Sequence, residues 1–447
     1  MYRKIIDKLK GKNIVILGFG KEGKSSYEFI RRHLKEQPLT ILDQNEISLE
    51  DPYCTLITGE KYLDSLEEYD MIIKSPGISL KDISLENIQE KITSQLELLL
   101  EVFRKNVIGI TGTKGKSTTT TLTYEVIKDQ KDSVYLLGNI GIPIFDQIEE
   151  YRDDTILVIE MSSHQLEFLK ASPHIACILN LYQDHLDHAG TLEHYHDNKM
   201  NIFKYQDSSD YCIYSSDNDY LRERMASDLY QGKRYTVRFD MEEMDENAVR
   251  LDDKKVILNG EVLYEDGERK LIGNHNLKNI MFTLTIASIL KLDLSRAKNV
   301  IRHFNGLKYR MECIGEVHGI TYYNDTIATI PWATMNAVEA IGNVDTLIFG
   351  GMDRGIDYEE FITFLKSSSI SNMICMPTTG NFIGKELENS SKNVFYVPTL
   401  EEAYACAKSH TKKGMSCLLS PAAASYEFFK NFEEKGKAFE DIVKRDS

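Results

Sequence analysis

The stretch Val107-Ile108-Gly109-Ile110-Thr111-Gly112-Thr113-Lys114-Gly115-Lys116-Ser117-Thr118 decides the reading of the chain. An apolar β-type run, Val107 to Ile110, enters a glycine-rich turn, and a helical segment follows from about Ser117 to Asp129. A loop of this kind offers free backbone N–H groups and the positive end of a helix, and both attract phosphate. Lys116 is placed to reach the outer phosphates of a nucleotide, and Ser117 or Thr118 to face a Mg²⁺ ion. A strict phosphate loop needs glycine at position 110, where this chain has Ile110; Gly112 supplies the turn and makes a tighter variant. Gly112, Thr113, Lys114, Gly115, Lys116, Ser117 and Thr118 are therefore the candidate nucleotide-binding residues.

The same alternation extends in both directions. Upstream, Asn13-Ile-Val-Ile-Leu17 runs into Gly18-Phe-Gly20-Lys-Glu-Gly23, an amphipathic segment through Ile30 and a second strand, Leu39 to Asp43. That is the opening of a doubly wound sheet. A strand at Met71 to Lys74 is broken by Ser75-Pro76-Gly77, and residues 89–103 read as an acidic helix. Downstream, strands are expected at Ser133 to Leu137, Thr155 to Glu160 and Ile175 to Leu181. After about residue 205, short β-like runs such as Arg250 to Leu258 suggest a small antiparallel addition, and a helix at Asn276 to Leu290 closes the unit. Beyond a loop at Phe304-Asn305-Gly306, strands at Asp345 to Phe349, Asn372 to Met376 and Ser416 to Leu419 mark a third α/β region. There is no repeat at a fixed period.

Length agrees: at about 150 residues per domain, 447 residues make three domains. With 42% hydrophobic and 27% charged residues the chain is globular, not disordered. Its net charge of −16 argues against a nucleic-acid binder, whose affinity rests on neutralising phosphates. It leaves room for small anionic substrates held by a few local cations. No apolar run approaches the 18 or so residues of a membrane span. The N-terminus mixes charge with apolar residues and is not read as a signal peptide. Seven dispersed cysteines, without a C-x-x-C pair, read as reduced thiols of a cytoplasmic protein.

Gly18-x-Gly20-x-x-Gly23 with Asp43 twenty residues on matches a dinucleotide fingerprint, in which the acid meets a ribose. A nicotinamide cofactor, another nucleotide ligand and a purely structural turn all remain open for it. Glu160-Met-Ser162-Ser163-His164-Gln165 sits at a strand end, where open α/β sheets place ligand groups, and Glu160 is a candidate Mg²⁺ ligand. Asp184-His185-Leu186-Asp187-His188 follows the next strand, with Lys199 nearby. No cysteine and no H-E-x-x-H spacing accompany these histidines, so zinc is not indicated. Asn276 and Asn279 share one helical turn and suit hydrogen bonds to a base, although such pairs are more often caps.

With these motifs in order, the whole chain resembles the Mur ligases of peptidoglycan synthesis, in particular their glutamate-adding members. The resemblance rests on the 112–118 loop, Leu137-Gly-Asn139-Ile-Gly, Glu160-x-Ser-Ser-x-Gln165, Asn180 through Asp184-His185-x-Asp187 and His275-Asn276-x-x-Asn279. It continues in Gly306-Leu-x-x-Arg310-x-Glu312, Asn324-Asp325, Gly350-Gly351-x-Asp353-Arg354 and Leu419-Ser420-Pro421-x-x-x-Ser425 with Lys430-Asn431-Phe432. It implies an α/β protein of three domains. These are a Rossmann-like domain for the UDP-substrate (1–98), a central P-loop ATPase domain with a mostly parallel sheet plus a small antiparallel sheet (99–305), and a Rossmann-like domain for glutamate and ATP (306–447).

The resemblance implies an ATP-dependent ligase joining glutamate to a UDP-muramoyl-alanine substrate through an acyl phosphate, with Mg²⁺. A monomer in the cytoplasm is expected, with no nucleic-acid partner and no membrane insertion. The implied UDP-substrate residues are Gly18, Phe19, Gly20, Asp43, Ser75, Asn139, Ser162 and Gln165. Lys116, His185 and Lys199 match catalytic positions, and Ser117, Glu160, His185 and Lys199, the last as a carbamate, match metal ligands. Asn276, Asn279, Arg310 and Asp325 match residues around ATP, and Thr329, Arg354, Ser425 and Phe432 the glutamate pocket. One departure matters. Where the D-glutamate enzymes carry a lysine, this chain has Ile327, so L-glutamate stands beside D-glutamate as an alternative, and Arg354 replaces another family lysine.

Overall fold

The computed structural model describes residues 1–140, 142–182, 191–239, 247–267, 269–271, 273–426 and 428–446. The chain forms two compact units, residues 1–268 with 275–302, and residues 269–274 with 303–447. In the first unit, α1 (Arg3–Leu9), β1 (Ile14–Leu17), α2 (Lys21–His33), β2 (Leu39–Asp43), β3 (Cys54–Thr58), β4 (Met71–Lys74) and β5 (Ile92–Thr93) build a five-stranded parallel sheet in the order β3-β2-β1-β4-β5. β1 is wholly buried, as a central parallel strand covered on both faces must be. The order reverses beside β1, and the crevice past its C-terminal end is flanked by the Gly18–Gly23 turn and the Ser75 turn after β4.

Residues 89–103 are not one helix. Ile92–Thr93 pairs with β4, Ser94 accepts a hydrogen bond from Glu97 N, and α3 spans only Gln95–Phe103. A serine cap next to a two-residue edge strand overrides the continuous helical pattern.

The same unit continues with β6 (Val107–Thr111), α4 (Lys116–Lys128), β7 (Val134–Gly138), β8 (Ile156–Glu160), α5 (Ser163–Leu166), β9 (Ile175–Ile178), α6 (Leu192–Lys204), β10 (Tyr211–Ser215), α7 (Asp219–Met225), β11 (Lys233–Arg238), β12 (Ala248–Asp252), β13 (Lys255–Leu258), β14 (Glu261–Glu265), α8 (Asn274–Ile289) and α9 (Leu294–His303). Its nine-stranded sheet has the order β14-β13-β12-β11-β10-β9-β6-β8-β7. β10, β11 and β12 run parallel, so the antiparallel part expected after residue 205 is confined to β12–β14 and extends one edge of the large sheet. Tight turns with positive φ at Asp253 and at Asn259-Gly260 reverse the chain there. β9 ends at Ile178, short of Leu181, because Leu179 N turns to Thr111 O and Asn180 folds onto the glycine loop.

The second unit comprises β15 (Glu312–Val317), β16 (Ile320–Asn324), α10 (Pro331–Ile341), β17 (Val344–Phe349), α11 (Glu359–Ser367), β18 (Asn372–Cys375), α12 (Thr379–Leu387), β19 (Asn393–Tyr396), α13 (Leu400–His410), β20 (Ser416–Leu419) and α14 (Phe432–Arg445). Its six strands lie in the order β15-β16-β20-β17-β18-β19, parallel except for the β15–β16 hairpin. The insertion of β20 between β16 and β17 brings the loops after Asn324, Phe349 and Leu419 to one end of the sheet. Among the described residues no helix is long and apolar enough to cross a membrane.

Candidate active site

The loop between β6 and α4 is built around two glycines. Gly115, with φ +83°, is the N-cap of α4 and has no side chain to cap that helix, so the positive end of the helix dipole faces the loop. Elsewhere the chain does cap helices: Ser162, Thr191, Asn218, Thr399 and Asn431 each accept from their helix's first turn. Thr113 N donates to Asn180 O, Lys114 N to Asn180 Oδ1 at 2.8 Å, and Tyr182 N to Thr113 Oγ1 at 2.9 Å. The end of β9 thus holds the loop from one side. Asn279 holds it from the other, close enough that a Cβ on Gly115 would sit 2.6 Å from its Oδ1; Asn279 Nδ2 in turn donates to Asn276 Oδ1 at 3.0 Å.

Two lysines converge on this loop. Lys116 Nζ donates to Gly112 O (2.9 Å) and Thr113 O (3.1 Å). Lys199, on α6, donates to the same Gly112 O at 3.1 Å, is 1% exposed and lies 4.8 Å from the centre of the Tyr195 ring. The two side chains thus meet at one carbonyl of the loop, Lys116 from its own helix and Lys199 from α6. Beside them, Glu160 ends β8 opposite Ile110 of β6. Its Oε1 accepts from Asn139 Nδ2 at 2.9 Å, while Oε2 is buried without a hydrogen-bond partner among the described residues. A buried carboxylate oxygen left open is the kind of group a hard cation completes. Among the described residues no group of three His, Cys, Asp or Glu side chains gathers to hold a metal unaided. His185, Asp184, Asp187 and His188 lie outside the described residues.

At the N-terminal sheet, Gly23 approaches the Gly18 carbonyl so closely that a Cβ would stand 2.0 Å from it. Phe19 N donates to Asp43 Oδ2 at 2.7 Å, and Ser75 Oγ to Gly18 O at 2.8 Å. Asp43 also accepts from Asn45 N; its partial burial is outweighed by these N–H donors, which hold the carboxyl below its usual range. α2 is entered through Gly20 with no side-chain cap, a second open helix terminus. Ser162 and Gln165 form a capping box on α5, and Gln165 Nε2 reaches back to Glu22 Oε1 at 2.9 Å. Burial pushes the Glu22 carboxyl up against the opposing pull of Gln165 and Lys74. Neither Glu22 nor Lys74 is singled out by the sequence.

The remaining candidates lie in the second unit. Asp325 takes Met311 N (3.0 Å) and Ser420 Oγ (2.7 Å), and burial raises its carboxyl to about 7 against those bonds and the nearby Arg310 charge. Arg354 is exposed, Thr329 and Phe432 are half-buried, and the Ser425 hydroxyl is buried without a partner among the described residues. Their loops follow β16, β17 and β20, the end of the sheet where ligands bind in open α/β folds.

Comparison with known proteins adds to this geometry. The Mur ligase middle domain pattern matches residues 110–287, and the Mur ligase glutamate ligase domain pattern residues 309–423. The chain is 32% identical to the UDP-N-acetylmuramoylalanine--D-glutamate ligase of Clostridium botulinum strain Kyoto, over 99% of each chain. It is equally identical to the ligases of that name from Caldicellulosiruptor bescii (97% of this chain, 98% of the relative) and Clostridioides difficile (97% and 99%). The fold is shared with UDP-N-acetylmuramate-alanine ligase MurC from Thermotoga maritima, at 18% identity and a TM-score of 0.59, covering 98% of this chain and 100% of that one. It is also shared with the Thermotoga maritima MurF ligase, solved in complex with ADP, at 18% identity and a TM-score of 0.57, covering 97% and 95%.

Proposed function

The chain belongs to the Mur ligase family, and on that premise we propose that it joins D-glutamate to UDP-N-acetylmuramoyl-L-alanine, converting ATP to ADP and phosphate. The observation that carries this reading is the glycine-capped N-terminus of α4 with Lys116 folded onto the loop it follows, bonded to Gly112 O and Thr113 O. It rests further on full-length similarity to ligases named for D-glutamate.

A carboxylate does not acylate an amine, so it must first be activated. In the proposed sequence, an oxygen of the alanyl carboxylate takes the γ-phosphoryl group and ADP departs. The glutamate amine then attacks the acyl carbon and loses a proton, and the tetrahedral adduct expels phosphate. Lys116 and the first N–H groups of α4 would neutralise charge on the transferring phosphoryl. Mg²⁺ is implied, and the open Glu160 Oε2 fits it; Ser117, Glu160, His185 and Lys199 as a carbamate would hold it. When bound, it would screen the phosphate charge that two anionic substrates bring together.

The Gly18–Gly23 turn, with Phe19, Asp43 and Ser75, would hold the UDP portion, and Asn139, Ser162 and Gln165 the muramoyl end. Asn276, Asn279, Arg310 and Asp325 are assigned to ATP, and Thr329, Arg354, Ser425 and Phe432 to glutamate. The proposal includes domains at 1–98, 99–305 and 306–447, action as a monomer and a cytoplasmic location. Phosphate release with UDP-N-acetylmuramoyl-L-alanine, ATP and each glutamate enantiomer tests it. Turnover with D-glutamate is expected. Turnover with L-glutamate alone overturns the stereochemistry, and none with either overturns the ligase reading.

A further inference from the structure

Lys435 is not part of the pocket assigned above, yet it lies beside it. It stands on α14 three residues past Phe432, and so on the same face of that helix. Its side chain is buried, and Nζ donates to Gly350 O at 2.9 Å. No carboxylate among the described residues pairs with it, and burial alone drives the ammonium down to about 8. A buried, uncompensated ammonium is costly, and an unbranched apolar side chain of similar length would fill the same space without a charge. Its single acceptor therefore locates its role.

That acceptor is the first residue of the turn that presents Arg354. Gly350 N donates to Pro421 O, and Met352 N to Ala424 O at 2.8 Å. Thr378 N and Thr379 N both donate to Gly351 O. There is no slack in the turn: a Cβ on Gly350 would lie 2.1 Å from Met376 O, and one on Gly351 2.4 Å from Ala424 O. The next residue of α14, Gly436, accepts from Asn324 Nδ2 and packs against Thr326, at the start of the loop that bears Thr329. One turn of α14 thus touches two of the three loops after β16, β17 and β20, and Lys435 supplies the only side-chain bond from α14 to the Gly350 carbonyl among the described residues.

We propose that Lys435 is a positioning residue for the amino-acid substrate: by holding Gly350 O it sets where the Gly350–Arg354 turn presents the Arg354 guanidinium to a glutamate carboxylate. This rests on the assignment of Arg354 to the glutamate pocket. Displacing a charged clamp by a fraction of an ångström weakens it without removing it, so the effect belongs in the Michaelis constant for glutamate.

The test is steady-state phosphate release by Lys435→Met and Lys435→Arg, each made in the wild-type chain and in Arg354→Ala. Lys435→Met should raise KM for glutamate about tenfold and change KM for ATP less than about twofold, and Lys435→Arg should recover most of the loss. In the Arg354→Ala background, Lys435→Met should add less than about a further twofold, because the group it positions is gone. If Lys435→Met does not fold, Lys435→Gln, which keeps a donor too short to reach Gly350, takes its place. Equal changes in both Michaelis constants, a loss confined to kcat, or full multiplication with Arg354→Ala would overturn the proposal. An Arg354→Ala enzyme with normal KM for glutamate would overturn the pocket assignment and Lys435's role together. A glutamate-selective Arg354→Ala defect beside an unselective Lys435→Met would overturn Lys435's role alone.

Discussion

Gly115→Ala puts the geometry of the phosphate loop to a quantitative test. Gly115 has φ +83° and ψ −7°, a left-handed conformation that costs an alanine about 1–2 kcal/mol. The added methyl would also stand 2.6 Å from Asn279 Oδ1, closer than real Cβ atoms come. Relief requires Asn279 to move, which breaks its bond to Asn276 and costs about 0.5–1.5 kcal/mol. The sum is about 1.5–3.5 kcal/mol, a fall in Tm of about 2–6 °C for a unit of this size. The displaced N–H groups of α4 should raise KM for ATP about tenfold or more. Differential scanning calorimetry and phosphate release at varied ATP provide the two readouts. An alanine enzyme with unchanged Tm would refute the left-handed turn packed on Asn279. One that is destabilised but keeps a normal KM for ATP would refute the assignment of that turn to ATP.

Three further outcomes follow from the same geometry. Lys116→Ala should lose about 3 kcal/mol of transition-state stabilisation, at least a hundredfold in kcat, while calorimetric binding of the UDP-substrate changes little; wild-type turnover would contradict the role of the loop. Lys199→Ala should be nearly inactive and partly rescued by acetate if a carbamate oxygen is what the site needs, and full activity without additive would count against it. Asp325 contributes a pH dependence: its folded carboxyl is raised to about 7, so the stability it confers is complete below the unfolded value near 4 and is lost as pH rises through 7. Asp325→Asn should therefore gain stability relative to wild type between pH 4 and 7 in urea titrations, and a pH-independent difference would be inconsistent with the buried carboxyl.

Much of this was legible in the sequence because glycine and lysine at fixed spacing carry their own geometry. The 112–118 loop and the Gly18–Gly23 turn need specific backbone torsions and close approaches, and few other residues tolerate them. Strand direction was less legible. The runs in β10 to β14 have the same short β-rich texture whether their neighbour is parallel or antiparallel, and pairing decides between them. Contacts between distant segments left no local trace at all. Glu22 meets Gln165 across 143 positions, and Lys435 meets Gly350 across 85. A lysine flanked by Glu433, Glu434 and Lys437 on an amphipathic helix reads as solvated until the fold closes over it. Asp325 is similar: its motif marks it as functional, but its bond to Met311 comes from the β15–β16 hairpin and its bond to Ser420 from β20 lying beside β16.

The central claim is that the α4 loop serves phosphoryl transfer to a carboxylate, and isotope transfer tests it most directly. The alanyl carboxylate of UDP-N-acetylmuramoyl-L-alanine is labelled with ¹⁸O, the enzyme is run with ATP and D-glutamate, and the released phosphate is examined by mass spectrometry. If an acyl phosphate forms, the oxygen that attacked the γ-phosphorus leaves with it, and each phosphate carries one labelled oxygen derived from the substrate. Product formation with unlabelled phosphate would contradict the mechanism.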